Sequence, residues 1–108
     1  MDGYSQFFPF AFVAINNVHQ DACGIYEIFR QNVCLYVGMA RDQTIRERLA
    51  QHYNSCDNDF LKLWIKSSYN LKFRYFIASE YDSIAKIEDQ KIRYLGPICN
   101  KDRRLKNG

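Results

Sequence analysis

Two tripeptides whose tyrosines stand ten residues apart, Gly24-Ile25-Tyr26 and Tyr36-Val37-Gly38, constrain the fold of this chain more than any other stretch. Between them lie the alternating, β-prone residues 27–35, interrupted by the polar Arg30-Gln31-Asn32. This pattern predicts two short strands folded back on each other as a hairpin. Side chains alternate between faces, so the parity of the loop decides which residues share a face. A three-residue loop at Arg30-Gln31-Asn32 places Phe29 opposite Val33 and Tyr26 opposite Tyr36, with Asn32 in the left-handed position. Tyr26, Ile28, Cys34 and Tyr36 then line one face. Ile25, Phe29, Val33, Leu35 and Val37 line the other, with Glu27 as a polar intruder. A two-residue loop would part the two tyrosines.

The remaining elements follow in order. The apolar run from Phe7 to Ile15 contains Pro9, which argues against a central strand or a helix interior. It reads as an extended lead-in or edge strand whose phenylalanines cover the core; a dimer contact is the alternative. Thr44-Ile45-Arg46-Glu47 is a capping box that opens a helix running to about Tyr53 or Asn54. Ile45, Arg48, Leu49 and His52 share one face of that helix, and Arg46 points elsewhere. Asp57-Asn58-Asp59 caps a second helix, Phe60 to Lys66, dense enough in apolar residues to be largely buried. A turn over residues 67–70 leads to a third strand, with Leu71, Phe73, Tyr75 and Ile77 facing inward. Asp82-Ser83 starts the last helix, and Gly96-Pro97 stops it. Its stripe is Ile84, Ile87, Glu88, Lys91, Ile92 and Leu95. An ionised carboxylate on such a stripe is costly unless it is paired or holds a metal. Glu88 is therefore either an edge residue bonded to a Lys or Tyr, or a ligand.

Bulk properties narrow the class. At 108 residues, with 47% hydrophobic and 16% aromatic content, the chain suits one domain with its own core rather than disorder. Net charge is +3, and residues 101–108 carry four of the 15 basic side chains against one of the 12 acidic ones. The body is thus neutral and the excess is a basic tail, suited to phosphates through counterion release. The four cysteines form no Cys-x-x-Cys pair, which argues against structural zinc. Neither a signal peptide nor a membrane span is expected, and the reading is a cytoplasmic protein with reduced thiols.

With these residues in hand, residues 24–100 resemble the GIY-YIG nuclease family. Gly24-Ile25-Tyr26 and Tyr36-Val37-Gly38 are similar to its signature, with Val37 for the usual Ile. Arg48-Leu49-Ala50-Gln51-His52 matches its catalytic helix after a loop about two residues longer than usual. Counting rigidly from Tyr36 would select Arg46, but the helix face favours Arg48, beside His52. Glu88, Ile92, Pro97 and Asn100 supply the later motif in order. The resemblance implies an α+β fold, a small three-stranded antiparallel sheet flanked by helices. Residues 1–22 would be an extension, 23–100 the module and 101–108 the tail.

It also implies a divalent-metal-dependent DNA endonuclease, of the kind that serves DNA repair or recombination. Glu88 would hold Mg²⁺ or Mn²⁺, a cation suited to one carboxylate and several waters. Arg48 would clamp the scissile phosphate. Tyr26 is assigned as the base that orients or deprotonates the nucleophilic water, with Tyr36 as its partner. A phenol with a pKa near ~10 is a poor base at neutral pH, so Arg48 and the cation would have to favour the phenolate. His52 would polarise Tyr26 or contact phosphate, and Asn100 would tie the last helix to the sheet. Arg41, Arg46, Lys101, Arg103 and Arg104 are candidate DNA contacts. A homodimer or a protein partner could supply specificity. The competing reading is a catalytically silent module on the same fold that binds DNA structures or another protein.

Overall fold

The computed structural model describes residues 4–67, 70–78 and 80–100. The basic tail, with Lys101, Arg103 and Arg104, lies outside the described residues, as does part of the expected 67–70 turn. The chain builds an α+β domain on one antiparallel sheet. Its strands are β1 (Phe8–Pro9), β2 (Gly24–Arg30), β3 (Val33–Ala40) and β4 (Leu71–Ile77), in the order β1-β4-β2-β3. The helices are α1 (Phe12–Asn16), α2 (Ile45–Ser55), α3 (Asp59–Ser67) and α4 (Tyr81–Leu95).

The expected three strands are all present, but the sheet has four. The lead-in pairs with β4 as a short edge strand, Phe8 opposite Phe73 and Pro9 opposite Lys72. Proline is tolerated at such an edge because no ladder bond is asked of its nitrogen. Beyond Pro9 the run is not extended as expected: Phe12–Asn16 turns into α1 and buries Ile15. Phe10 joins the core, while Phe12 and Val13 stay exposed.

The hairpin also differs from expectation. Its turn is the two-residue Gln31-Asn32, with Arg30 opposite Val33, and the positive φ (54°) falls on Gln31 rather than Asn32. A two-residue loop alone would send Tyr36 to the wrong face. A β-bulge corrects this: Phe29 pairs with Cys34 and Ile28 with Tyr36, so Leu35 is the extra residue. Tyr36 thus returns to the face of Tyr26, although Tyr26 stands opposite Gly38 and not opposite Tyr36. Cys34 and Leu35 exchange their expected faces, Leu35 joining the Tyr26 side and Cys34 the Ile25 side.

The sheet is covered on both faces. Ile15, Val18, Ile45, Leu49 and Leu61 from α1–α3 and their connections pack on Tyr26, Ile28, Leu35 and Phe73. Ile84 and Ile92 of α4 pack on Ile25, Phe29, Cys34 and Val37. On α3 only Leu61 is buried, and Phe60 and Leu63 are exposed, against the expectation of a largely buried helix. Ile77, expected to face inward, is exposed at the end of β4. Glu27 is wholly buried because Arg74, directly opposite on β4, bonds its carboxylate at 2.7 Å and the Tyr4 hydroxyl donates to it at 2.6 Å. Such pairing is what a buried charge requires. Among the described residues no helix is long and apolar enough to cross a membrane.

Candidate active site

Three elements bring side chains to one corner of the Tyr26 face: β2 contributes Tyr26, β3 contributes Tyr36, and α2 contributes Arg48 and His52. Glu88 belongs to α4, which packs on the other face. The Tyr26 ring lies across Gly38 of the neighbouring strand, and a Cβ at Gly38 would overlap the phenol. Glycine at that position is therefore what lets the ring lie flat on β3. The Tyr26 and Tyr36 ring centres are 6.1 Å apart, and the His52 ring lies 5.5 Å from the first and 5.0 Å from the second.

The helix that carries Arg48 and His52 starts as expected. The Thr44 hydroxyl accepts from the Glu47 N–H at 3.2 Å, and the Thr44 N–H donates to the Glu47 carboxylate at 2.9 Å. From this fixed start, Ile45, Leu49 and His52 are buried along one face and Arg48 is half-buried beside them. His52 Nε2 lies 2.7 Å from the Tyr26 hydroxyl. Burial, reinforced by the Arg48 charge, lowers the His52 pKa to about 4, so its imidazole is neutral at pH 7.

The two phenols are not equivalent. Tyr26 is wholly buried, whereas Tyr36 is half-buried. Burial first, and then its neighbour Tyr36, holds the Tyr26 pKa well above the ordinary phenol value, with Arg48 opposing the shift. Burial also raises the Tyr36 pKa, with Arg48 the strongest opposing influence and Glu88 adding to the rise. Glu88 therefore sits within electrostatic reach of both phenols. It is 5% exposed, on the buried side of α4 that also carries Ile84 and Ile92. Its carboxylate oxygens are of the kind a hard divalent cation takes. Among the described residues no three or more His, Cys, Asp or Glu side chains converge as a ligand cluster.

Asn100 sits where a positioning residue is needed. Its side chain forms a two-way bridge to the Val37 backbone, accepting from the N–H at 2.9 Å and donating to the carbonyl at 2.8 Å. The Cys99 N–H adds a bond to the Leu35 carbonyl at 2.7 Å. The segment after α4 thereby closes the outer edge of β3 and pins the pleat between Tyr36 and Gly38.

Arg48 faces two clefts. One, of about 420 Å³, is lined by Arg48, Gln51, His52, Asn54, Ser55 and Asp57. The other, of about 200 Å³, runs beneath Met39–Gln43 and includes Arg41. Arg46 lines a separate groove with Gln20, Asp21 and Glu47, one that Arg48 does not reach. The structure thus brings together Tyr26, Tyr36, Arg48 and His52, holds Glu88 within electrostatic reach of both phenols, sets Arg41 in a cleft with Arg48, and leaves Arg46 apart. Sequence reasoning missed Cys56, whose sulfur lies 3.4 Å from His52 Nδ1. Its i+4 spacing from His52 was the available signal. Comparison with family models, with curated proteins and with solved structures returns no match.

Proposed function

We propose that this corner is the active site of a divalent-metal-dependent DNA endonuclease of the GIY-YIG type. The observation that carries the reading is the meeting of two phenols, a guanidinium and a neutral imidazole, drawn from β2, β3 and α2, with the buried Glu88 carboxylate of α4 within electrostatic reach of both phenols. Phosphodiester hydrolysis needs those functions: an oriented water, positive charge for the phosphorane-like transition state, and a neutralised leaving oxygen.

Arg48 clamps the scissile phosphate. Arg48 lines both clefts, where a phosphate could meet it. Tyr36 is the phenol that meets the nucleophilic water. The sequence assigns the base to Tyr26, but the complete burial of Tyr26 and the partial exposure of Tyr36 favour the reverse division of roles. As the water oxygen bonds to phosphorus and the bond to the 3′ oxygen breaks, the water proton passes to the Tyr36 oxygen. Burial works against the phenolate that accepts it and Arg48 offsets part of that cost, so a bound cation would have to supply the rest. Tyr26 stands behind, its hydroxyl held by His52. A Mg²⁺ or Mn²⁺ bound through Glu88 would neutralise charge on the phosphate and on the leaving oxygen. Asn100 keeps Tyr36 and Gly38 in register.

Incubation with supercoiled and branched DNA tests the reading. The expected result is nicking or linearisation in Mg²⁺ or Mn²⁺ and none in excess chelator. DNA bound but left intact in every cation would make the chain a binding module instead.

A further inference from the structure

A neutral imidazole carries one N–H, and which nitrogen holds it decides what the other can accept. His52 is flanked by Tyr26 at Nε2 (2.7 Å) and by the Cys56 sulfur at Nδ1 (3.4 Å). Both flanks favour the same tautomer, and the sulfur side decides it.

On the sulfur side, the Cys56 thiol has a single proton, and it is engaged elsewhere. Sγ lies 3.6 Å from the Asn58 carbonyl, to which it donates. Burial raises the Cys56 pKa, so the thiol keeps that proton at neutral pH. Asn58 cannot easily move away, because its Oδ1 accepts from the Leu61 N–H at 3.0 Å and its Nδ2 donates to the Cys99 carbonyl at 2.8 Å. With its proton committed, Cys56 offers Nδ1 only a sulfur lone pair. On the phenol side, the Tyr26 hydroxyl is buried and needs an acceptor. Arg48, which bonds the same phenol, has only donors, and His52 Nε2 is the acceptor at 2.7 Å. Tyr36 and Glu88 also carry acceptor oxygens within electrostatic reach, so the phenol side favours this tautomer without fixing it alone.

We propose that Cys56 is a positioning residue that fixes His52 as the Nδ1–H tautomer. The result is a directed chain from Tyr26 O–H to His52 Nε2, from His52 Nδ1–H to Cys56 Sγ, and from Cys56 S–H to the Asn58 carbonyl. It keeps the Tyr26 proton pointed at the imidazole and leaves the phenol lone pairs facing Arg48. Its relevance to cleavage rests on the hydrolase reading above, but the tautomer itself does not.

Long-range ¹H–¹⁵N correlation of the imidazole nitrogens in the full chain at pH 7, assigned with His19→Gln, tests it. The expected His52 pattern is a protonated Nδ1 and a bare Nε2. Cys56→Ser, whose hydroxyl can also accept from Nδ1 and donate onward, retains that pattern. Cys56→Ala moves His52 towards the Nε2–H form. If the plasmid assay is active, Cys56→Ala also loses about 10–100-fold in kcat with KM little changed, the usual loss when a group that orients another is removed, and Cys56→Ser recovers most of it. A protonated Nε2 in the unaltered protein overturns the proposal even if Cys56→Ala fails to fold, and so does an unchanged tautomer in a folded Cys56→Ala. Plasmid left intact by a protein with the expected tautomer would count against the hydrolase reading alone.

Discussion

At the scale of single residues, the placement of Arg48 separates two readings of the sequence. Counting from Tyr36 selects Arg46, whereas helical periodicity selects Arg48. The structure puts Arg48 beside both phenols and Arg46 in a groove of its own. Replacing one group that stabilises transition-state charge typically costs 10²–10³ in rate. Arg48→Ala should therefore lower kcat for plasmid cleavage by about 10²–10³-fold, while Arg46→Ala should change it by less than about threefold. The reverse ranking in single-turnover rates would shift the site by two positions along α2. Periodicity sufficed here because α2 is one regular helix with a defined start at Thr44. It could not reveal the Glu27–Arg74 pair, whose partners lie 47 residues apart and meet only when β2 and β4 align.

At the scale of elements, the β2–β3 hairpin carries the most information. The pairing of the two tyrosine strands was legible from alternation and turn residues. The way they reach a common face was not. A bulge is a relation between strands, and the sequence of one strand does not mark which residue will be left unpaired. The two-residue turn and the extra Leu35 act as opposite shifts and restore the parity that a three-residue loop would have given. α1 escaped notice for a different reason: five residues give too little periodicity to set a helix apart from an extended run. The edge of β3 depends on Asn100. Removing its side chain strands the Val37 N–H and carbonyl, both inside the fold. Asn100→Ala should cost about 2–3 kcal/mol, read from the urea midpoint at unchanged m-value. A loss below about 0.5 kcal/mol would mean that water replaces the amide and that Asn100 does not hold the strand.

At the scale of the whole molecule, the site is tied to folding through His52. The folded protein keeps this imidazole neutral down to about pH 4, while the unfolded chain takes up a proton near its ordinary 6.5. Between those values the unfolded state binds more protons, so stability falls as pH drops from about 6.5 to about 4. Such a shift is worth up to about 3 kcal/mol. Unfolding free energies over that window should decline more steeply for the natural chain than for His52→Gln. Parallel curves would contradict the burial of a neutral imidazole. The described residues form a sheet covered on both sides, with the candidate site at Tyr26 and Tyr36, which α2 approaches from one face and which Glu88 of α4, on the other, reaches electrostatically.

The proposed chemistry depends most directly on Glu88, the α4 acid within electrostatic reach of both phenols. The decisive measurement is the single-turnover rate of supercoiled-plasmid cleavage in Mg²⁺ by the natural chain and by Glu88→Ala, with matching circular dichroism as proof of fold. The account predicts cation-dependent cleavage by the natural chain and none detectable in the variant. Cation-dependent cleavage that survives in a folded Glu88→Ala protein would contradict it.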